Sequence, residues 1–382
     1  MAISTAPRTN ATWRVDPTAP WRNVDWMLVV LMLALTGIGA AMIYSTTKGA
    51  NGPPDTSYLA KTLLFFLVGT VLLVVTTLVD YRKILDRVVL IYPVTLAVLA
   101  GVLVVGQSRK GAQAWFIIGP FQLQPSEPAK LATILTLANY LAAHRAHLSP
   151  LRIATALVLA GIPMGLILMQ PDLGTMLVFV AITVGMLVVA GVRGRYLVVL
   201  VLAGLVLTVG VLKSDVLQDY QRARLLVFLS EDDIPDGARA DAYNLQQSKI
   251  AIGLGRVTGW GFGQGPQTQN NYVPEQQTDF IFTAVAEELG FLGGATVLGL
   301  FAFLTLRILR AAQMSRDDSG TLICTGVLVF LAFHLFQNVG MCMGIMPITG
   351  IPLPFLSYGG SALLTTYMAM GLVLNVHMRR YR

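Results

Sequence analysis

Asp279 is the carboxylate of this sequence best placed to take a proton from an incoming reactant. It lies in Val273-Pro-Glu-Gln-Gln-Thr-Asp-Phe-Ile-Phe-Thr-Ala-Val-Ala-Glu-Glu-Leu-Gly290, where a long polar loop turns into an apolar helix. Pro274 favours an extended entry, Thr278 is placed to cap the first turn, and Asp279 then sits where the helix dipole favours an anion. An acid at such a junction meets aqueous reactants and can serve as a general base. A purely structural helix-start carboxylate would show the same local pattern.

Other residues qualify as partners or rivals. Glu127 and Lys130 are three apart just inside an apolar run, a spacing that lets them neutralise each other or serve a buried site. Asp172, in Gln170-Pro-Asp-Leu-Gly-Thr175, reads as an N-cap and as a second acid on the same side as Asp279. Glu287 is eight residues beyond Asp279, about 12 Å along a helix, too far to share its proton, and Glu288 points to the opposite face. Both read as buried structural or cation-binding acids. His334, Gln337 and Asn338 read as interhelical hydrogen-bonding groups more readily than as a metal site. Six glycines between Gly253 and Gly265 would let backbone approach an anion closely, without a Walker or Rossmann pattern. Arg222 and Arg224 would point about 200° apart on a helix and cannot both face one ligand. Cys324 and Cys342 are 18 residues apart in one expected helix, about 27 Å, and cannot pair.

The elements that must position these residues are membrane helices. The chain has 382 residues, 55% hydrophobic and 12% charged, with a mean hydropathy of +0.66, far too apolar for a water-soluble globule. Apolar runs of bilayer length fall at 26–45, 58–78, 88–106, 126–143, 153–169, 173–190, 196–212, 280–306, 321–343 and 357–376. The expectation is an all-α polytopic protein: a cytoplasmic N-terminal segment, 1–25, and one ten-helix domain, 26–382, with a large extracytoplasmic loop at 214–278. The first run reads as a retained span rather than a signal peptide. Sixteen of the 27 Lys and Arg residues fall on one side if both termini are cytoplasmic, against five in the short loops opposite. That orientation puts Asp279 outside. Within the large loop, 216–229 has the pattern of a helix lying on the membrane surface and 230–241 that of a solvated acidic excursion. The segment 347–361 breaks regular helix at membrane depth and is expected to wall a cavity near the outer surface. The formal charge of +7 suits topology and anionic lipid; without an aromatic-interleaved basic patch, nucleic acid is not an expected partner.

Together, Lys110-Gly-Ala-Gln-Ala-Trp115, Gln124-Pro-Ser-Glu-Pro-Ala-Lys130, Gln170-Pro-Asp-Leu-Gly-Thr175, Gln247-Ser-Lys-Ile-Ala-Ile-Gly253, Pro274-Glu-Gln-Gln-Thr-Asp-Phe-Ile-Phe282 and Gly350-Ile-Pro-Leu-Pro-Phe-Leu-Ser-Tyr-Gly-Gly-Ser361 resemble the SEDS family, the shape, elongation, division and sporulation proteins, and within it the RodA branch. The chain departs from the family pattern at Gln277, where His is usual, at Ala114, where Arg is frequent, and at Gly265-Pro-Gln-Thr-Gln269.

The resemblance implies a peptidoglycan glycosyltransferase that polymerises lipid II outside the cytoplasmic membrane during cell elongation. It further implies a class B penicillin-binding protein as cross-linking partner. Asp279 is then the expected catalytic residue. Substrate-binding candidates are Arg109, Lys110, Trp115, Gln124, Glu127 and Lys130 around the third loop, with Asp172, Arg222, Arg224, Lys249 and Ser357 elsewhere. A divalent cation, Mg or Mn, is a possible cofactor; no organic cofactor is expected. The alternative readings are a lipid II flippase or other transporter of lipid-linked substrates, and a non-catalytic scaffold. A flippase needs ionisable groups lining a path to the inner leaflet, whereas the distinctive polar residues here gather outside.

Overall fold

The computed structural model describes residues 20–48, 56–109, 112–119, 121–213 and 239–381. In chain order the helices are α1 (Trp26–Thr46), α2 (Thr56–Leu78), α3 (Tyr81–Asp86), α4 (Val88–Val105), α5 (Ser126–His144), α6 (Pro150–Leu168), α7 (Leu173–Val189), α8 (Gly194–Lys213), α9 (Arg239–Leu254), α10 (Pro266–Gln269), α11 (Ile281–Gln313), α12 (Asp318–Met343) and α13 (Gly360–Met378). Seven of them (α1, α2, α4, α6, α11, α12 and α13) are long and apolar enough to cross a membrane. α7 is shorter and apolar, as is the Gly194–Gly204 part of α8, while α5 carries Glu127 and Lys130 in its first turns. The chain is a polytopic, predominantly helical membrane protein.

Local chemistry sets the helix ends. Asp25, Ser149, Asp172 and Asp317 each accept a backbone N–H at the start of α1, α6, α7 and α12, and Gly344 closes α12 in a left-handed conformation. Asp25 is buried and also pairs with Arg307 of α11 at 2.5 Å, tying the start of α1 to the later turns of α11. The bundle is layered by burial: 83% of the apolar window of α13 and 56% of that of α12 lie inside, against 11% for α2 and 17% for α4. Exposed Leu67, Val71, Val89 and Val104 on those outer helices would make an unusually large apolar surface in water and suit hydrocarbon instead. α2 packs most closely on α13, where a Cβ on Gly371 would come within 1.9 Å of Thr76 Oγ1; only glycine admits this approach.

Two local features depart from the sequence expectation. Residues 107–123, expected as an outer loop, form a three-stranded antiparallel sheet of β1 (Gln107–Arg109), β2 (Ala112–Ile118) and β3 (Phe121–Leu123). Gln107 pairs with Trp115, and Ile118 with Phe121 across a two-residue connection that begins at Gly119, φ 60°. The β-branched and aromatic run Trp115-Phe-Ile-Ile118 favours strand, and three paired strands satisfy backbone groups that an irregular loop near the bilayer would leave open. The second departure is in α11, read from the sequence as one continuous span. It is broken at Gly290, whose φ of 66° and ψ of −165° belong to no helix. The Gly-rich loop repairs that break. Trp260 and Gly261 N–H donate to the carbonyls of Glu287 and Glu288, and Phe291 and Leu292 N–H donate to those of Arg256 and Val257. The glycines are needed for this contact, since a Cβ on Gly259 would lie 2.2 Å from the Glu288 carbonyl oxygen.

Candidate functional site at the start of α11 and the end of α12

Asp279 does not start the helix. Glu275 takes a left-handed φ of 55°, and its carbonyl accepts from the N–H groups of Thr278, Asp279 and Phe280, so 275–280 form a compact turn before α11 begins at Ile281. Thr278 correspondingly caps nothing: its hydroxyl donates back to Glu275, and α11 has no side-chain cap. Asp279 is half-buried, two residues ahead of the helix. The 347–359 segment forms its wall, as the helix-breaking sequence implied. A Cβ on Gly350 would lie 3.4 Å from Asp279 Oδ2, and the Tyr358 N–H donates to the Gln277 carbonyl at 2.8 Å. Asn338 Nδ2 donates to the carbonyls of both Asp279, at 2.8 Å, and Ile351, at 2.9 Å. Gln337 Nε2 bonds the Pro347 carbonyl and Thr349 Oγ1.

A second acid joins the same wall. Asp172 caps α7 through Thr175 N and Oγ1 and accepts from Gln124 Nε2 at 3.1 Å, uniting two candidates separated by 48 residues. The Gln124 N–H donates to Ser361 Oγ, joining β3 to the start of α13. Gly174, at the top of α7, abuts the Thr349 carbonyl, so the Asp172 turn and the Asp279 turn press on one segment. Ser357, a substrate-binding candidate, is buried within that segment, where its Oγ accepts the Leu353 N–H at 2.8 Å and holds a turn.

Glu127 and Lys130 are placed differently from a substrate-contacting pair. Lys130 is 1% exposed and bonds Glu127 Oε1 at 2.7 Å and His334 Nε2 at 3.1 Å, with its ammonium over the Phe330 ring. His334 Nδ1 faces the Phe330 carbonyl at 2.9 Å, which puts the ring proton on Nδ1 and leaves Nε2 to accept from Lys130. The lysine charge is compensated inside the protein, so Lys130 is withdrawn from direct contact with an external anion.

Glu287 and Glu288 are fully buried, and both bind the Gly-rich loop. Glu287 accepts from Gln267 N, Thr268 N and Thr268 Oγ1 at 2.6–2.9 Å; Glu288 accepts from Gly263 N, Gln269 Nε2 and the Ser45 hydroxyl. The anion approached by the glycines is therefore the protein's own carboxylate. Ser45 and Lys48 have Ser-x-x-Lys spacing, but the Ser45 hydroxyl is buried and committed to Glu288. Among the described residues no three of His, Cys, Asp and Glu converge as a cation cage.

Of the remaining candidates, Trp115 is half-buried on β2, and Arg109 ends β1 opposite Ala112. Lys249 is exposed on α9 and lies over Gly344 at the end of α12. Lys110, Arg222 and Arg224, with the surface helix expected at 216–229, lie outside the described residues; of the acidic excursion expected at 230–241 only 239–241 are described, and they open α9. Sequence reasoning did not connect Asn338, Ser361 or Ser45 to their partners. Each is a small polar residue in or beside an apolar run, which marks an interhelical bond without naming the other end.

Comparison with known proteins agrees with this architecture. The chain is 35% identical to the peptidoglycan glycosyltransferase RodA of Treponema pallidum, over 94% of this chain and 98% of that one. It is 34% identical to the peptidoglycan glycosyltransferase MrdB of Escherichia coli K12, over 94% of each, and 36% identical to the stage V sporulation protein E of Bacillus subtilis. The crystal structure of Thermus thermophilus RodA superposes with a TM-score of 0.72 at 31% identity, covering 95% of this chain and 99% of that one. A chain from a peptidoglycan synthase complex that coordinates polymerization and crosslinking superposes with a TM-score of 0.79 at 32% identity, covering 94% and 99%. Residues 25–382 match the FtsW/RodA/SpoVE profile of cell cycle proteins, and the chain belongs to that family, the SEDS proteins.

Proposed function

We propose that this protein is a peptidoglycan glycosyltransferase of cell elongation, polymerising lipid II at the outer face of the cytoplasmic membrane. The observation that carries the reading is the Asp279 turn, a half-buried carboxylate held at the mouth of the bundle against Gly350 and pinned from α12. The hydroxyl of an acceptor GlcNAc attacks the anomeric carbon of a lipid-linked MurNAc. The new glycosidic C–O bond forms as the bond to the diphosphate breaks, and undecaprenyl diphosphate departs with the electron pair. Asp279 receives the hydroxyl proton, and direct displacement turns an α-linked donor into a β-linked strand. Diphosphate is already a good leaving group, so the base and positive charge are the main requirements. Arg109 at the end of β1, with Lys110 and one of Arg222 and Arg224, supplies that charge in this reading, while Lys130 does not. Trp115 and Lys249 are further contacts. Gln124 and Asp172 shape the rim, and the Ser357 turn shapes the wall. No step is routed through Mg or Mn, for which the described residues offer no cage.

Both termini are cytoplasmic in this reading. Strand cross-linking falls to a class B penicillin-binding protein, which the likeness to a chain from a synthase complex supports. Co-purification with such a partner and a rise in polymerase rate on its addition are expected; a rate indifferent to every partner tested counts against it.

The test of the base is Asp279→Asn, purified at matched expression and melting behaviour and assayed with labelled lipid II. The substitution keeps size and hydrogen-bonding shape, so turnover should fall by about 10² to 10⁴ while the protein still folds. Glycan made at the wild-type rate would remove Asp279 from the mechanism and return it to a structural role, whereas no glycan from the purified wild-type protein would favour a transporter or scaffold.

A further inference from the structure

We infer that Asn338 is a positioning residue for the Asp279 carboxylate, setting its place against the 350–353 backbone; the inference rests on the role of Asp279 argued above. Asn338 stands near the end of α12, fully buried. Its amide nitrogen has two hydrogens, and both are used on carbonyls of two segments distant in sequence: Asp279 O at 2.8 Å and Ile351 O at 2.9 Å. Two acceptors at these distances fix which end of the amide is nitrogen, because a reversed side chain would set oxygen against two oxygens.

The amide oxygen has no hydrogen-bond partner among the described residues. A buried carboxamide with both donors satisfied and its acceptor idle is present for its donors. An ordinary interhelical bond needs only one of them, whereas a tie between two loops needs both.

The tie bears directly on the reacting group. Ile351 follows Gly350, on which a Cβ would lie 3.4 Å from Asp279 Oδ2 and whose φ of 68° is a conformation suited to glycine. The Asp279 and Ile351 carbonyls are thus held to one amide group, which fixes the Asp279 backbone against the segment that Gly350 brings close to its carboxylate. The Tyr358–Gln277 bond is a second tie between the same segments, two residues before Asp279, but it does not hold Asp279 itself.

The prediction separates positioning from stability. Asn338→Leu keeps the bulk and removes the donors; Asn338→Ser removes bulk and leaves at most one donor, and carries the test if the first variant does not fold. In the full chain in lipid nanodiscs, hydrogen exchange should accelerate together in the 277–282 and 349–354 stretches, with α12 itself unchanged. The kcat from labelled lipid II should fall about 10- to 100-fold, as a displaced catalytic group implies, with KM within about twofold. Unchanged exchange in both stretches, or an unchanged kcat per folded molecule, overturns the inference. Failure of the base reading is seen elsewhere: wild-type turnover by Asp279→Asn removes the base while the paired change in exchange remains.

Discussion

Glu287→Gln distinguishes a carboxylate that holds the fold from one that takes part in the reaction. In the native site Oε1 accepts the Gln267 N–H at 2.7 Å, while Oε2 accepts Thr268 N at 2.9 Å and Thr268 Oγ1 at 2.6 Å. A glutamine keeps one oxygen. With that oxygen on the Thr268 side, the amide NH₂ faces the Gln267 N–H, so one charge-assisted bond is lost and two donors are left opposed. One such bond contributes about 1.5–3 kcal/mol and a buried unsatisfied donor costs about 1–3, giving an expected destabilisation of about 2–4 kcal/mol after partial relaxation. The loss should be read by denaturant titration in detergent, followed by intrinsic fluorescence, and turnover should be normalised to folded protein. Because Glu287 lies six residues into α11, about 9 Å along the helix from its start at Ile281, and its carboxylate is held by Gln267 and Thr268, turnover per folded molecule should fall by less than about tenfold. Wild-type stability, or a loss of turnover matching Asp279→Asn at retained stability, would refute the assignment of Glu287 as the loop's anchor.

The Asp25–Arg307 pair offers a complementary test. Arg307→Met leaves the buried Asp25 carboxylate unpaired and should destabilise the protein by about 3–5 kcal/mol, while adding Asp25→Asn should recover much of that loss in the same titration. For topology, Ser230→Cys should react with an impermeant maleimide added to intact cells; labelling only after permeabilisation would put Asp279 on the wrong side for a substrate outside the membrane.

Much of the architecture was legible because membrane helices are specified by composition over about twenty residues, a local property. The apolar runs locate the long helices, Asp172 is the N-cap its Pro-Asp-Leu-Gly setting implied, and Glu287 and Glu288 are the buried structural acids their depth implied. The helix-breaking 347–359 segment does wall the Asp279 turn. The errors arose where backbone geometry and short-range pairing override residue preference. Thr278 has the right identity for a cap, but the left-handed Glu275 folds the turn back and claims its hydroxyl. Residues 107–123 became a sheet because strand pairing satisfies backbone that sequence periodicity had left unassigned.

The sequence by itself determined the polytopic all-α class and the family-like motifs, down to Asp279 as the residue to test, since each of these is written in contiguous residues. Only the tertiary structure decided what the polar side chains do. Lys130 belongs to Glu127 and His334, the glycines belong to the broken α11, and Asn338 belongs to Asp279 and Ile351. A buried polar group must find a partner, but spacing along the chain constrains only partners within a turn or two; those supplied by another helix are chosen by packing.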